Sequence, residues 1–435
     1  MNKGRTAKQS ARAVGLLAGV AALAIAAAMP ARADTQSEID AIKAENAELR
    51  EMVKGLKQDV QILMKTMATT SEAVASPKTP PKMATSGNEN VSLTVAGQVN
   101  RMLFYADDGD QSQLFNADND YSSTRLTITG KAKVTEDISV SAVVEGELES
   151  NSTDRVQIGQ DRADNTNAGF RERKYEIIGE SKQFGRISAG QGSTASDGTA
   201  EVILSGTQVV AGSGIDAMGN RIIFLREDNK AGSGRSIANL FSNFDGLSRD
   251  DRIRYDSPTF AGFTASGSYS DGDRWDAALR YKNKFSFGDV EAAASYFDAS
   301  ATGTPGSVVG FTGVAISAGY EAPFGTNIGG AYSINDFEAR GRDTANFWYV
   351  MLGQDLKLLE LGETSFAIDY AATQDQTINA SSGHYWSFSA VQQIKKVATE
   401  LYFKVGQFDA ELPGSGGDID LEAITFAGLG ARVKF

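Results

Sequence analysis

The 435-residue chain has no cysteine, one histidine and eight prolines. Without cysteine there is no disulfide framework and no thiolate to bind a metal or attack a substrate. The one histidine, His384 in "SSGHYWSF", has no acid at ligand spacing and cannot by itself make a metal site. As a catalytic base it would need a nucleophile beside it. Ser387 lies three residues on, which on a strand is the opposite face. An enzyme, a metal and a cofactor are therefore not expected. Basic residues are also short, 42 against 55 acidic, for a net charge of −13. Such a surface does not suit nucleic acid. Beyond residue 33 no apolar run reaches the ~20 residues of a spanning helix. If this chain enters a membrane, it does so as strands. What it does have is 45 glycines and 41% hydrophobic residues, enough for a β-protein and too little for a helical membrane protein.

Residues 1–33 read as a cleaved export signal. Lys3, Arg5, Lys8 and Arg12 precede the uncharged "AVGLLAGVAALAIAAAM", and "ARA" supplies small residues two apart before Asp34. Residues 34–67 then carry a heptad. Ile39, Asn46, Val53 and Val60 repeat every seven residues, and Ile42, Leu49, Leu56 and Leu63 follow each by three. These are a and d positions, predicting a coiled coil in which Asn46 fixes the register. Residues 68–90, with "PKTPPK", read as an extended linker.

From Val91 the period drops to two. Leu126, Ile128, Ala132 and Val134 alternate with Arg125, Thr127, Lys131 and Lys133. After "TED", Ile138, Val140, Ala142 and Val144 alternate with Ser139, Ser141, Glu145 and Glu147, which makes a hairpin. The pattern continues to the last residue, where Leu429, Ala431, Val433 and Phe435 alternate with Gly430, Arg432 and Lys434. About sixteen strands are expected, with connections alternating short and long. "DDGDQSQLFNADND" is read as one of the long polar loops, and "RIIFLRE" with "SIANLFSNF" could add a hairpin for eighteen strands. A charge facing lipid at mid-depth costs about 2–4 kcal/mol, so an apolar face beside a charged one predicts an all-β transmembrane antiparallel barrel with a wet lumen. Its last strand must pair with its first, near Val91–Tyr105, to leave no edge in lipid.

"SSTRLTITGKAKV", "SPTFAGFTASGSYSDGD" and the closing "GARVKF" resemble the general porins of Gram-negative outer membranes, over residues 91–435. "LSGTQVV" resembles the alphaproteobacterial members. The resemblance implies a passive channel for ions and small hydrophilic solutes, a homotrimer in outer-membrane lipid, and a loop after the fifth strand that folds inward to narrow the pore. That loop is residues 193–250, whose "AEVILSGTQVV" is too apolar for a free surface loop. Its acids Asp197, Glu201 and Asp216 would face wall cations, for which Arg101, Arg125, Lys131, Arg252 and Arg254 are the expected residues. Arg101 falls on the apolar parity of its strand. Arg171 and Arg173 share parity with Tyr175 and Ile177, so they turn inward only if the register shifts there. In the family the terminal aromatic strand is read by the outer-membrane assembly machinery, a role that falls here on Ala431, Val433 and Phe435. General porins usually lack a coiled coil; residues 34–67 are similar to the periplasmic extension of some sugar-type porins. They would serve as a trimerisation stalk or a spacer toward the peptidoglycan. A structural tether and a trimeric-autotransporter-like adhesin are the rival readings.

Overall fold

The computed structural model describes residues 88, 90–161, 170–300, 310–414 and 416–435. The export signal, the coiled-coil seam and nearly all of the linker lie outside them. No helix among the described residues is long and apolar enough to cross a membrane.

The strands are β1 (Val91–Asp107), β2 (Ser112–Asp118), β3 (Arg125–Lys133), β4 (Ile138–Glu147), β5 (Arg171–Ser181) and β6 (Gly185–Ser193). Within the next connection lie β7 (Ile223–Leu225) and β8 (Gly232–Ser236). The chain rejoins the wall with β9 (Arg249–Asp256), β10 (Phe263–Ser270), β11 (Arg274–Phe285), β12 (Gly288–Asp298) and β13 (Phe311–Glu321). It continues with β14 (Thr326–Phe337), β15 (Ala345–Leu359), β16 (Gly362–Gln374), β17 (Ser382–Ile394), β18 (Thr399–Leu412), β19 (Ile419–Asp420) and β20 (Ile424–Lys434). All pairing in the wall is antiparallel between chain neighbours, and the sheet closes on itself.

β2 and β3 occupy one wall position: β2 pairs with Arg101–Asp107 of β1 and β3 with Val91–Gln98. β19 and β20 likewise share the position beside β18. The barrel therefore has sixteen strands. The eighteen-strand alternative fails because β7 and β8 form a separate two-stranded sheet, tied to the segment before β20 by an isolated bridge, Arg226 opposite Leu421. Residues 237–240 after them are a short helix, Ile237–Leu240. A second correction concerns "DDGDQSQLFNADND". Its Ser112–Asp118 is strand, 108–111 turn, and Asn119 and Asp120 open the break before β3. Phe115 and Ala117 point inward there, and Phe115 packs against Phe104, so the usual polar-inside pattern is inverted.

Closure runs from Gln98 opposite Lys434 to Asp107 opposite Thr425. Beyond it, Phe435 exchanges both backbone bonds with Gly97, each 2.9 Å. A Cβ at Gly97 would stand 2.6 Å from the Phe435 ring. Only glycine lets the terminal aromatic lie that close to the first strand. One chain thus supplies the whole barrel, unlike an adhesin that assembles its barrel from several chains.

Alternation separates the two faces. Val95, Val99 and Leu103 of β1 are about half exposed outward, while Asn100, Met102 and Phe104 are buried inside. The lumen is not uniformly wet. Phe104, Phe347, Tyr349, Tyr385, Tyr402, Phe408 and Phe426 form an apolar patch on the inner wall. The long β6–β9 connection covers it with Ile203, Val209, Val210, Ile215, Met218, Ile222, Phe224, Ile237, Leu240 and Phe241. Each large side chain so buried is worth about 1.5–3 kcal/mol.

Candidate functional site

The connection after β6 starts with a closed base. Thr194 N–H donates to Ser248 O at 3.0 Å, and Leu247 N–H to Ser196 Oγ at 2.9 Å. Asp276 of β11 accepts from Ser196 N–H at 2.8 Å. Further along, inward side chains of successive strands hold the loop backbone. Ser317 Oγ accepts from Val202 N–H at 3.0 Å, Lys404 Nζ donates to Val210 O at 2.6 Å, and Thr373 Oγ1 donates to Leu240 O at 2.5 Å. Ser333 donates to Asn243 O. These contacts run from β11 to β18, so the loop lies against the inside of the wall. Sequence reasoning missed Lys404, whose ammonium is buried beneath the loop near the rings of Tyr121 and Tyr385.

A cavity of about 510 Å³ remains between the loop and the wall of β3–β5. Arg125, Arg171 and Arg173 line it from the wall, and Glu201, Asp216, Asn243 and Arg249 from the loop and its exit. Asp120, Tyr121 and Ser122 enter where the strand between β2 and β3 is interrupted.

Arg125 faces inward on β3; its guanidinium donates to Ser122 Oγ at 3.2 Å and makes no ion pair among the described residues. The two arginines of β5 also reach the lumen. The pairing of β4 with β5 shifts between Glu145 and Gly146, so Arg173 bulges out of register. The extra residue turns the parity around. Arg173 then meets Glu145 at 3.0 Å and also pairs with Glu147. Arg171 reaches Glu147 at 3.0 Å. Arg432 of β20, which the sequence reading passed over, joins this wall, donating to Ser122 Oγ at 2.6 Å and pairing with Glu400 at 2.5 Å.

Arg252 and Arg254 point inward as their alternation predicts, but neither lines the cavity. Arg252 is buried, paired with Glu176 at 2.5 Å, and donates to Ser193 O and Gly190 O at 3.0 and 2.9 Å. Arg254 pairs with Asp256 at 2.6 Å and donates to Thr194 O at 2.6 Å. Both fasten the loop base. Lys131 pairs with Glu180 at 3.3 Å, half exposed and away from the cavity. Arg101 keeps its outward parity, opposite Asp118 on β2, and pairs with that residue at 2.6 Å. Among the loop acids, Glu201 and Asp216 line the cavity while Asp197 does not; its carbonyl accepts from Arg280 at 2.8 Å.

Burial raises the Glu201 carboxyl, and Asp197 adds to the shift. Asp245 is pushed well above the carboxylate range by burial, then by Glu201. Burial pushes Asp216 up to about 6, with repulsion from Asp154. The folded chain then holds more protons than the unfolded one between the ordinary carboxylate value and about 6, so stability rises as pH falls through that window. Over the same range Asp216 loses its charge. The reversal potential in a salt gradient is expected to move toward anions as pH drops through 6, and Asp216→Asn should flatten that step.

His384 accepts or donates at Nδ1 with Tyr370 on the outer face, 2.8 Å away, while Ser387 is buried inside. They share no face.

A closed barrel with an apolar outside, a charged inner wall and a loop folded along that wall is a membrane-spanning channel. The chain belongs to the Gram-negative porin family, whose model matches residues 19–411. Family and fold together make it an outer-membrane channel. By structure it is similar to the anion-selective porin from Comamonas acidovorans, with a TM-score of 0.55 and 18% identity over 79% of this chain and 100% of that one. It is similar to OmpT of Vibrio cholerae in its trimer form, at 0.51 and 14%, covering 80% and 100%. It is also similar to the outer membrane channel DcaP of Acinetobacter baumannii, at 0.50 and 12%, covering 80% and 98%. At these identities the likeness is one of fold. No curated protein matches by sequence.

Proposed function

We propose that the cavity beside Arg125 is the constriction of this channel, through which ions and small hydrophilic solutes pass by diffusion. One observation carries the reading: wall arginines and the loop acids Glu201 and Asp216 line the same cavity of about 510 Å³. Charges of opposite sign on facing walls set a transverse field, and a low-dielectric surround focuses it. Most wall arginines are neutralised by glutamates of their own wall, so the cations left to act on a passing ion are Arg249 at the loop's exit and, on β3, Arg125. Replacing it by Ser should shift the reversal potential toward cations in planar bilayers under a salt gradient. An unchanged potential would take the cavity off the conduction path. A protein that only tethers the membrane would show no open steps at all.

The working unit is a homotrimer, a reading supported by the trimer form of OmpT of Vibrio cholerae. The heptad of residues 34–67 hangs in the periplasm as a trimerisation stalk or a spacer toward the peptidoglycan. A peptide of residues 34–70 is expected to associate at tens of micromolar by sedimentation equilibrium, about the range a four-heptad coil can hold. Ala431, Val433 and Phe435 are offered to the assembly machinery before the last strand closes on β1.

A further inference from the structure

Beside the same cavity, which Asp120 and Asp154 also line, sits a cluster of acids that the channel reading does not use. Asp120, Glu149 and Asp154 each present a carboxylate oxygen within 4.8 Å of the others. They come from three places: the break between β2 and β3, the exit of β4, and the turn seven residues beyond that strand's Glu147. That turn is tied down. Asp118 N–H donates to Asn151 O at 2.7 Å, Thr153 N–H to Asp118 O at 2.9 Å, and Gly219 N–H of the long loop to Thr153 O at 2.9 Å. The carboxylates are therefore held by backbone pairing, not by one flexible segment.

Their partners do not satisfy them. The Glu149 side chain is 7% exposed, yet its Oε1 is buried with no hydrogen-bond partner. Asp154 Oδ1 is buried and unpartnered as well. Arg171 is the nearest cation and is shared among three acids: Glu147 at 3.0 Å, Glu149 at 3.2 Å and Asp120 at 3.6 Å. Arg155 reaches Asp154 only at 3.6 Å. A buried carboxylate oxygen without a donor carries its full desolvation penalty. Two such oxygens facing a third acid call for a positive charge between them.

We propose that Asp120, Glu149 and Asp154 bind a divalent cation of calcium size. The donor set is all oxygen, which hard cations prefer, and it leaves room for water to complete a flexible shell. Ser152 Oγ lies 3.4 Å from Asp120 Oδ1 and adds a neutral oxygen at the edge. Arg171 can keep its 3.0 Å pair with Glu147 while its other nitrogen releases Glu149 and Asp120. Burial and then Glu147 push Glu149 up to about 7, and burial and then Asp154 raise Asp120 well above the carboxylate range. A carboxylate must be deprotonated to ligate a metal, so the cation should bind more tightly as pH rises. With three carboxylates and water, the dissociation constant should fall near 10⁻⁴–10⁻³ M, about that of extracellular calcium modules.

The test is isothermal titration of calcium chloride into the full-length protein in detergent after chelator treatment. One saturable site per chain is expected at pH 8, weakened about tenfold or more at pH 6. The double variant Glu149→Gln, Asp154→Asn should lose it, while both proteins keep the heat-shifted gel mobility of a closed barrel. No saturable binding up to 10 times the expected constant, roughly 10 mM, would overturn the proposal. So would binding undiminished in the variant. If the double variant does not fold, Glu149→Gln alone must lower the affinity at least severalfold, and unchanged affinity there counts against the site. Because binding is read directly, its failure leaves the conduction reading standing, and a silent bilayer leaves the metal site standing.

Discussion

Arg252→Ala is expected to lower the unfolding temperature of the barrel more than any other single wall substitution. Arg252 and Glu176 are both nearly inaccessible and lie 2.5 Å apart. Removing one member of such a pair strands the other charge, at about 3–5 kcal/mol. The loss does not stop there. The same guanidinium donates to Gly190 O within β6 and to Ser193 O at its end, where the loop leaves the wall. Without it the hinge of the loop is loosened as well. Heat-dependent gel mobility in detergent should show the drop, and bilayer recordings should show noisier open steps. Arg252→Met with Glu176→Leu tests the cause, since replacing both partners by apolar groups of similar size should recover most of the stability. If the double variant is as weak as the single one, the carbonyl bonds outweigh the ion pair.

The reach of sequence reasoning can be judged from particular strands. β3, β4 and β9 were legible because their inner face is charged and their outer face apolar, the contrast that lipid outside and water inside impose. The same rule placed the last strand against the first. It hid β2, where Phe115 and Ala117 turn inward to the apolar patch instead of outward to lipid. It also invited extra wall strands from "RIIFLRE" and "SIANLFSNF". Those apolar residues are buried, but against the inside of the barrel, where Ile222, Phe224, Leu240 and Phe241 need no place in the wall.

The site was legible only in part, for a geometric reason. Parity counting fails at a bulge, and the one between Glu145 and Gly146 is what turns Arg173 into the lumen. Arg432 was visible as a polar residue in an alternating strand, but nothing local says that it meets Ser122, 310 residues earlier in the chain. Arg252 and Arg254 alternate with Ile253 and Tyr255, and alternation gives a face but not a partner. Their work at the loop base depends on carbonyls of Gly190, Ser193 and Thr194, and backbone groups leave no mark in a sequence.

Excising residues 199–244 and joining the ends through a two-residue turn is expected to raise single-channel conductance severalfold. The ends already meet: Gly198 N–H donates to Asp245 Oδ2 at 2.6 Å, so a short turn can close without moving the wall. The bonds from Thr194 to Ser248 and from Ser196 to Asp276 lie outside the excision and keep the base in place. What leaves is the segment that fills the lumen beside Phe347, Tyr349, Tyr385 and Phe408. Conductance grows with the free cross-section, and sixteen strands enclose far more space than the loop leaves open. Two costs should accompany the gain. The aromatic patch becomes wet, losing about 1.5–3 kcal/mol for each large side chain uncovered, so the variant should melt earlier. Glu201 and Asp216 leave with the loop, so the pH step assigned to Asp216 should vanish together with the transverse field. A variant that conducts no better than the parent would mean that the narrowest point lies elsewhere along the barrel.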